Sequence, residues 1–555
     1  MESNLLKDNS KKGFFVQAGI LAIAGVISRI IGLLYGSPLA AIIGDEGNGY
    51  YASAYAIYTI VLLISSYSIP SAMSKIISGK LALKEYKNAQ RIFRCALVYV
   101  AIVGGIGSLI LFFAADILVA GRSATVLRFF APTIFLFGFL GVLRGYFQAH
   151  RTMLPTSISQ LIEQVFNAIV SIGAALMLTG YVGDAIENKA KRAVYGAIGS
   201  ALGTCSGVIV ALIFMLLIYR FNRPRIKSRI EKDNSEDMAT KEIFKMIFMI
   251  VTPFILSTFI YNLSTSLNST LFSRILIHVK GMNESHVAFQ YGIFARKAMV
   301  ITNLPIALAS AAASAMIPEV STTFATGDKD GAGRLVSRVT RVILMISIPC
   351  AAGLFSLARP FVMILFPQRA SLDEAALLLM LLSITVVFYS LSTVTNAVLQ
   401  GIGKVNAPVL NALIALIIQS AALTLLLVYT ELQDFALCLV TIIYSFVMCI
   451  LNNHVMKKNL LINNDLKKTY LFPILASVVM GASAFGVYKL FELIFKQFIG
   501  SEYFVNLFST MVAVAVAVPV YFVVLIKSGG ATQDDIRRFP KGARIVGILK
   551  KCKIL

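Results

Sequence analysis

Six residues in this sequence sit where a hydrocarbon environment should exclude them. Arg29 lies inside the apolar run 14–36, Glu163 inside the run 158–180, and Arg296 and Lys297 near the start of the run 290–316. Asn262 and Asn303 add uncharged polarity to the runs 246–272 and 290–316. A cation at mid-membrane costs roughly 2.5–3.5 kcal/mol even on the lenient insertion scale, so such residues bind, pair or relay. Together they offer the chemistry of an anion site, plus one carboxyl able to titrate.

Arg29 falls about 15 residues into its run, about 22 Å along at 1.5 Å per residue, hence in the outer half. Gly25, Gly32 and Gly36 stand at offsets of −4, +3 and +7 from it, on one helical face. Small residues mark close helix contact or a cavity wall, so Arg29 is predicted to point inward. The competing explanation is an arginine neutralised by a neighbouring carbonyl or acid. Asn303, seven residues past Arg296, shares its face, and Pro305 then removes a mid-helix hydrogen bond and favours a kink. For Lys297 the competing explanation is snorkelling to the outer surface. Asn262 shares its run with Thr265, Ser266, Asn268 and Ser269; Glu163 shares its stripe with Gln160, Gln164 and Asn167. Interhelical hydrogen bonds, about 0.6–2 kcal/mol each, account for these amides and hydroxyls. Glu163 is left as a candidate for coupling or gating, or for pairing with Lys or Arg.

Catalytic motifs are missing. The sequence has no G-x-x-x-x-G-K-[ST] loop and no H-E-x-x-H, and its four histidines (His150, His278, His286, His454) have no ligand spacing. Asp534-Asp535 reads as a solvated turn. The chain is therefore expected to be neither an enzyme nor an ATP-driven pump, and to bind no metal. Its six cysteines, mostly inside apolar runs and without C-x-x-C pairing, read as small buried residues. The final Cys552-Lys553-Ile554-Leu555 has a lysine where a prenylation box needs an aliphatic residue.

The elements that must hold these residues are membrane helices. Of 555 residues 57% are apolar and 14% charged, with a mean hydropathy of +0.80. Soluble domains have about 45–50% and about 25%, so a soluble globule and a disordered chain are both excluded. About 20 apolar residues cross the bilayer. Fourteen windows qualify: 14–36, 50–72, 94–116, 126–147, 158–180, 194–219, 246–272, 290–316, 339–366, 375–399, 408–429, 434–455, 470–493 and 504–526. Arg359 and Pro360 interrupt the ninth. The fold class is thus an all-α polytopic membrane protein.

With the N-terminus inside and charges towards span ends counted with the adjoining loops, inner segments hold 36 Lys and Arg, outer loops 11, and span interiors three: Arg29, Arg296 and Lys297. That asymmetry predicts an even number of spans and two cytoplasmic termini. It also explains the net charge of +23 without nucleic acid. Ile69-Pro70, Arg91 and Arg94 reappear as Ile317-Pro318, Arg338 and Arg341, and Phe147-Gln148 before Pro155 is echoed by Leu399-Gln400 before Pro408. This indicates a duplicated six-span bundle whose halves share orientation. The expected organisation is 1–219 and 246–455 for the bundles, with a cytoplasmic linker at 220–245. Two extra helices follow at 456–526, then a basic tail at 527–555 lying on the inner leaflet.

Several short carriers in order resemble a known family. They are Ser28-Arg29-Ile30-Ile31-Gly32, Gly47-Asn48-Gly49-Tyr50-Tyr51, Ser68-Ile69-Pro70-Ser71-Ala72-Met73-Ser74-Lys75, Arg296 with Asn303-Leu304-Pro305, Ile317-Pro318-Glu319, and Leu399-Gln400-Gly401. With fourteen spans and a basic central link, the chain resembles the lipid II flippases of the MurJ and SpoVB type. These belong to the multidrug/oligosaccharidyl-lipid/polysaccharide exporter superfamily.

The resemblance implies outward transport of lipid II or another undecaprenyl-pyrophosphate-linked glycan across the bacterial inner membrane by alternating access. That transport would serve peptidoglycan, cell-wall or spore-cortex synthesis. It implies a cationic cavity in which Arg29 aligns with the family's span-one arginine and Arg296 most nearly matches its span-eight basic group. Two negative charges on a pyrophosphate suit such a site. It further implies a lipid-tail groove on the two extra spans, no cofactor, coupling to H+, Na+ or membrane potential, and a monomer. Tyr35 stands near the family's second span-one arginine, and no basic residue occurs from Tyr50 to Ser74, a departure that favours the SpoVB-like branch. The alternatives are a cation-coupled multidrug exporter of the same superfamily and a membrane glycosyltransferase. The first would need an acidic cavity, and the second lacks an acidic catalytic pair.

The topology makes a direct prediction. In a cysteine-free background, a cysteine at Ser235 should be protected from an impermeant thiol reagent added outside, and one at Ser285 should react. The reverse pattern would refute the orientation.

Overall fold

The computed structural model describes residues 2–67, 69–150, 152–183, 188–404, 406–462, 465–530 and Gly547, except for the side chains of 2–23, 26, 66–67, 252–261, 308, 311–312 and 314–318. The described residues form helices and short connections, with no strand. Hydrocarbon leaves the backbone no water to bond, and a helix satisfies its N–H and C=O groups internally.

The chain forms two compact units, Met1–Gly292 and Ile293–Leu555. The first holds α1 (Glu2–Leu62), α2 (Ile69–Ala82), α3 (Tyr86–Phe113), α4 (Ala115–Leu118), α5 (Ser123–Ala149), α6 (Leu154–Val182), α7 (Lys189–Glu231), α8 (Thr240–Arg274) and α9 (Glu284–Gly292). The second holds α10 (Met299–Ala325), α11 (Lys329–Ser356), α12 (Ala358–Leu365), α13 (Leu372–Leu382), α14 (Thr385–Gly401), α15 (Asn406–Tyr429), α16 (Asp434–Asn459), α17 (Phe472–Lys496) and α18 (Glu502–Lys527). Four pairings recur between them: α3 with α5, α2 with α5, α5 with α7 and α6 with α7 correspond to α11 with α14, α10 with α14, α14 with α16 and α15 with α16. The duplication visible in the sequence is thus a duplication of packing.

Ten helices among the described residues are long and apolar enough to cross a membrane, eleven if the bent pair Arg369–Leu382 and Thr385–Gly401 is one span. The fourteen predicted spans map onto these with three differences. Spans one and two form the single run α1, divided where Gly44 adopts φ 70° and ψ 175°, a conformation that glycine alone takes readily. Spans seven and eight coincide with α8 and α10, which lie beyond the ten. The ninth span ends at Ser356, and Arg359-Pro360 open the separate helix α12.

The central link is not an extended insert. α7 continues as helix through Glu231, past Pro224, and α8 starts at Thr240. Between them, Asp233 accepts the Lys87 N–H at 2.7 Å, and Asn88 donates to the Glu236 carbonyl at 2.8 Å and accepts from the Met238 N–H at 3.0 Å. The N–H groups of Lys87 and Ser235 hold the Asp233 carboxyl below the usual carboxylate range. Asp237 pairs with Lys87 at 3.0 Å and Arg91 at 2.6 Å. Nor do the compact units divide at this link. α8 packs on α1, α2 and α3, and α9 packs on α1, which carries both helices into the first unit.

Glycines set the closest approaches. A Cβ on Gly49 would fall 1.7 Å from the Ala288 carbonyl oxygen, and one on Gly292 would fall 2.0 Å from that of Asp45, so α1 and α9 touch backbone to backbone. Along α7, Gly199 meets Ala175, Gly203 meets Ser171 and Gly207 meets the Glu163 carbonyl, all on α6. This is the small-residue packing that replaces hydrophobic force inside a bilayer.

Gly203→Ala should therefore lower the thermal midpoint of the purified protein, because its Cβ would sit 2.6 Å from the Ser171 backbone nitrogen. Overpacking of this kind costs about 1–3 kcal/mol. Gly32→Ala meets nothing within 4 Å and should leave the midpoint unchanged or raised. Equal midpoints for the two variants would contradict the packing described.

Candidate functional site

Arg29 sits on the first half of α1 and is exposed. Among the described residues it makes no ion pair or hydrogen bond. The flanking Gly25, Gly32 and Gly36 have open space where a Cβ would stand, so this glycine face makes no close helix contact among the described residues. Two turns on, α1 does meet α6: Asn167 donates to the Tyr35 hydroxyl at 3.3 Å and accepts from Ser171 at 2.9 Å. Leu39 and Ile43 pack there against Ala175.

Glu163, on α6, is paired. Its carboxylate lies 2.7 Å from the Arg144 guanidinium of α5, with the two side chains 17% and 7% exposed. Arg144 also donates through Nε to Ser159 Oγ at 2.9 Å, and Ser159 donates to the Thr156 carbonyl at 2.7 Å. Counting charges near span ends with the loops assigned Arg144 to the inner side; the structure buries it in a membrane helix. The signal for it was Glu163 itself, which needs a cation within reach on a neighbouring span.

Asn262, on α8, is half-buried and not without a partner. Its neighbours Ser266, Asn268 and Ser269 are buried, and Ser266 donates to the Ala56 carbonyl of α1 at 2.7 Å. The polar face of span seven thus works largely in helix–helix bonding, while Thr265 is exposed.

In the second unit, Arg296 and Lys297 occupy a π-helical turn, Ile293–Ala298, ahead of α10. The irregularity expected at Pro305 falls here instead, and α10 runs on through Pro305. Lys297 does not snorkel. It is 1% exposed and donates from Nζ to Ser371 Oγ, itself buried, at 2.6 Å. Arg296 is half-buried and Asn303 exposed. A separate apolar cavity of about 400 Å³ lies among α10, α11, α17 and α18, walled by Pro305, Met345, Leu357, Met480, Ala517 and Tyr521.

The structure therefore distributes the six residues as follows. Arg29, Glu163 and Asn262 belong to the first unit, and Arg296, Lys297 and Asn303 to the second. Glu163 meets Arg144 and Lys297 meets Ser371, two partners that the sequence had not singled out. Among the described residues no three His, Cys, Asp or Glu side chains converge to hold a metal. Cys438 is buried and Cys95, Cys205, Cys350 and Cys449 are half-buried, all as free thiols. Cys552, Asp534-Asp535 and the basic stretch 531–555 lie outside the described residues, Gly547 apart.

Comparison with known proteins follows this geometry. Residues 16–324 match the family described as polysaccharide biosynthesis protein, and residues 295–425 match MatE. The chain is 23% identical over 545 residues to stage V sporulation protein B of Bacillus subtilis (strain 168), covering 97% of this chain and 99% of the relative. It is 23% identical over 420 residues to the lipid II flippase MurJ of the same organism, covering 72% and 75%. Among solved structures, an inward-facing multidrug resistance MATE family transporter of the MOP superfamily superposes with a TM-score of 0.66 at 16% identity, covering 80% of this chain and 97% of that one. The inward closed conformation of lipid II flippase MurJ superposes with a TM-score of 0.64 at 13% identity, covering 91% and 97%. The fold is that of these polytopic transporters.

The ion pair generates the next prediction. Glu163→Gln or Arg144→Gln should cost about 3–5 kcal/mol by leaving one charge buried and uncompensated. Thermal unfolding of the purified protein measures this, and an Arg144→Met/Glu163→Leu double variant should recover most of the loss. A Glu163→Gln protein of wild-type stability would show that the pair is not structural. If its transport also lost its pH dependence, Glu163 would be the titrating group instead.

Proposed function

The chain belongs to the polysaccharide biosynthesis protein family, and we propose that it is a flippase for lipid II or a related undecaprenyl-pyrophosphate-linked glycan. In this reading the glycolipid moves from the inner to the outer leaflet of the bacterial cytoplasmic membrane. Both termini of the multi-pass chain are cytoplasmic, and no catalytic step is involved.

One observation carries the proposal. Arg29 is an exposed guanidinium on a membrane helix, with no internal partner among the described residues, on a face of glycines that leave room beside it. Left without a ligand such a cation is costly in hydrocarbon; a pyrophosphate would meet it with charge-assisted hydrogen bonds. Arg296 is assigned the same role, and Asn262 and Asn303 are candidates for the sugar hydroxyls. Lys297 acts through Ser371 to position the turn that carries Arg296. The apolar cavity among α10, α11, α17 and α18 supports the reading by offering a polyprenyl tail a surface without charge.

The MatE match favours a second reading, a cation-coupled exporter of amphipathic drugs. It fits the charges less well. A cationic drug calls for a free intramembrane acid, and Glu163 is already bound to Arg144.

Depletion of the protein should cause a lipid-linked sugar to accumulate on the inner leaflet. Arg29→Ala and Arg296→Ala should each reach the membrane and fail to complement. Lysine at either position should restore part of the function, keeping the charge but losing the bidentate fork. Full complementation by both alanine variants at native expression would overturn the proposal.

A further inference from the structure

The long extension of α7 covers a cleft that the proposed transport does not use. Past Tyr219 the helix carries Arg220, Arg223, Arg225, Lys227 and Arg229, while Ile226 packs back on the core of the first unit. Beneath it, bounded by the end of α2, the start of α3 and the end of α5, lies a cavity of about 230 Å³. A second hollow of about 250 Å³ adjoins it, sharing Leu81, Tyr86, His150 and Arg229 as walls.

The chemistry of this cleft is one-sided. Its walls include Arg225, Arg229 and His150 and no carboxylate. Nearby acids are engaged elsewhere: Glu85 with Lys80 and Asn88, Asp237 with Lys87 and Arg91, and Glu231 with Lys227. Among the described residues neither Arg225 nor Arg229 has an ion-pair partner; Arg229 stands 5.9 Å over the Tyr86 ring.

The floor is rigid. Gln90 donates to the Tyr219 hydroxyl at 2.7 Å, and the rings of Phe93, Tyr146 and Tyr219 pack with centroids 4.7–5.7 Å apart, Phe93 stacked on Tyr219 and Tyr146 edge-on to Tyr219. His150 is held through Nδ1 by the Tyr146 carbonyl at 2.9 Å, which leaves Nε2 as its other polar atom. Burial, ahead of the charge of Arg229, pushes its imidazole below the ordinary value.

Two guanidiniums, an imidazole nitrogen and apolar walls formed by Leu81, Phe147 and Ile230 suit a phosphate attached to an apolar stem. The cleft residues flank the inner ends of spans two, three, four and six, the depth at which headgroups lie. Basic pockets between helices at this level recognise anionic lipid headgroups. We propose that the cleft seats the phosphate of an anionic phospholipid of the inner leaflet, which ties the α7 extension to the turn between α2 and α3. The inference rests on the predicted orientation and not on which substrate is carried.

The test uses the full-length protein in detergent, titrated with phosphatidylglycerol, phosphatidylcholine or inorganic phosphate, with bound lipid read by native mass spectrometry and stability by thermal unfolding. Phosphatidylglycerol should bind and raise the midpoint, and phosphatidylcholine should not. Arg225→Ala/Arg229→Ala should weaken the phosphatidylglycerol effect about tenfold or more, the loss expected for charge-assisted bonds. Arg225→Lys/Arg229→Lys should weaken it less, and Arg223→Ala, outside the cleft, should not change it. Equal stabilisation by inorganic phosphate would replace the lipid with a soluble phosphate and overturn the assignment. Undiminished phosphatidylglycerol binding in a folded Arg225→Ala/Arg229→Ala protein would overturn the site.

Discussion

A charge inside hydrocarbon must be paired, reach water or meet a ligand, and that constraint organises this protein. Each intramembrane charge resolves it differently. Glu163 is met by Arg144 across α5 and α6. Lys297 is buried against Ser371. Arg29 alone of these stands exposed with no partner among the described residues. The first two arrangements fix helices to one another. The third leaves binding energy unspent within the protein, and it is where the proposed function places the anionic group of the substrate.

The glycines make the paired charges possible. Because Gly199, Gly203 and Gly207 let α7 lie against α6, Ser171, Asn167 and Glu163 are held in a narrow space. There an amide, a hydroxyl and a carboxylate find partners rather than lipid. Where glycines face open space instead, beside Arg29, no such partner is within reach among the described residues. One residue type thus builds a closed contact on α7 and leaves an opening on α1. The difference lies in what stands opposite, which the local sequence of either helix does not contain.

Much of this was legible in the sequence. Hydropathy windows located the membrane helices because the 20-residue apolar length has no other use in a soluble or disordered chain. The internal repeat was visible in Ile69-Pro70 and Phe147-Gln148 and recurs as helix pairing. Arg144 was missed because charges near span ends were counted with the loops, and burial of such a residue depends on a neighbour 19 positions away. The seven-residue offset from Arg296 to Asn303 assumes α-helical periodicity, while the π-helical turn at Ile293–Ala298 shifts the faces that follow, leaving Arg296 half-buried and Asn303 exposed. The central link was expected as a cytoplasmic linker, and its dense charge and Pro224 gave no sign that helix runs on to Glu231. On an exposed helix, however, the proline forfeits one hydrogen bond that water can replace. The boundary at Gly292 was not legible at all, since it depends on the backbone contact between α1 and α9.

The most direct measurement is translocation by the purified protein in liposomes carrying a labelled polyprenyl-pyrophosphate disaccharide and, in parallel, a neutral polyprenyl disaccharide of equal length. The account predicts that the protein makes the inner-leaflet pool of the pyrophosphate lipid accessible from outside, with little effect on the neutral one. Movement of both lipids at the same rate, or no movement of either beyond protein-free vesicles, would contradict recognition of the anion by unpaired intramembrane charge.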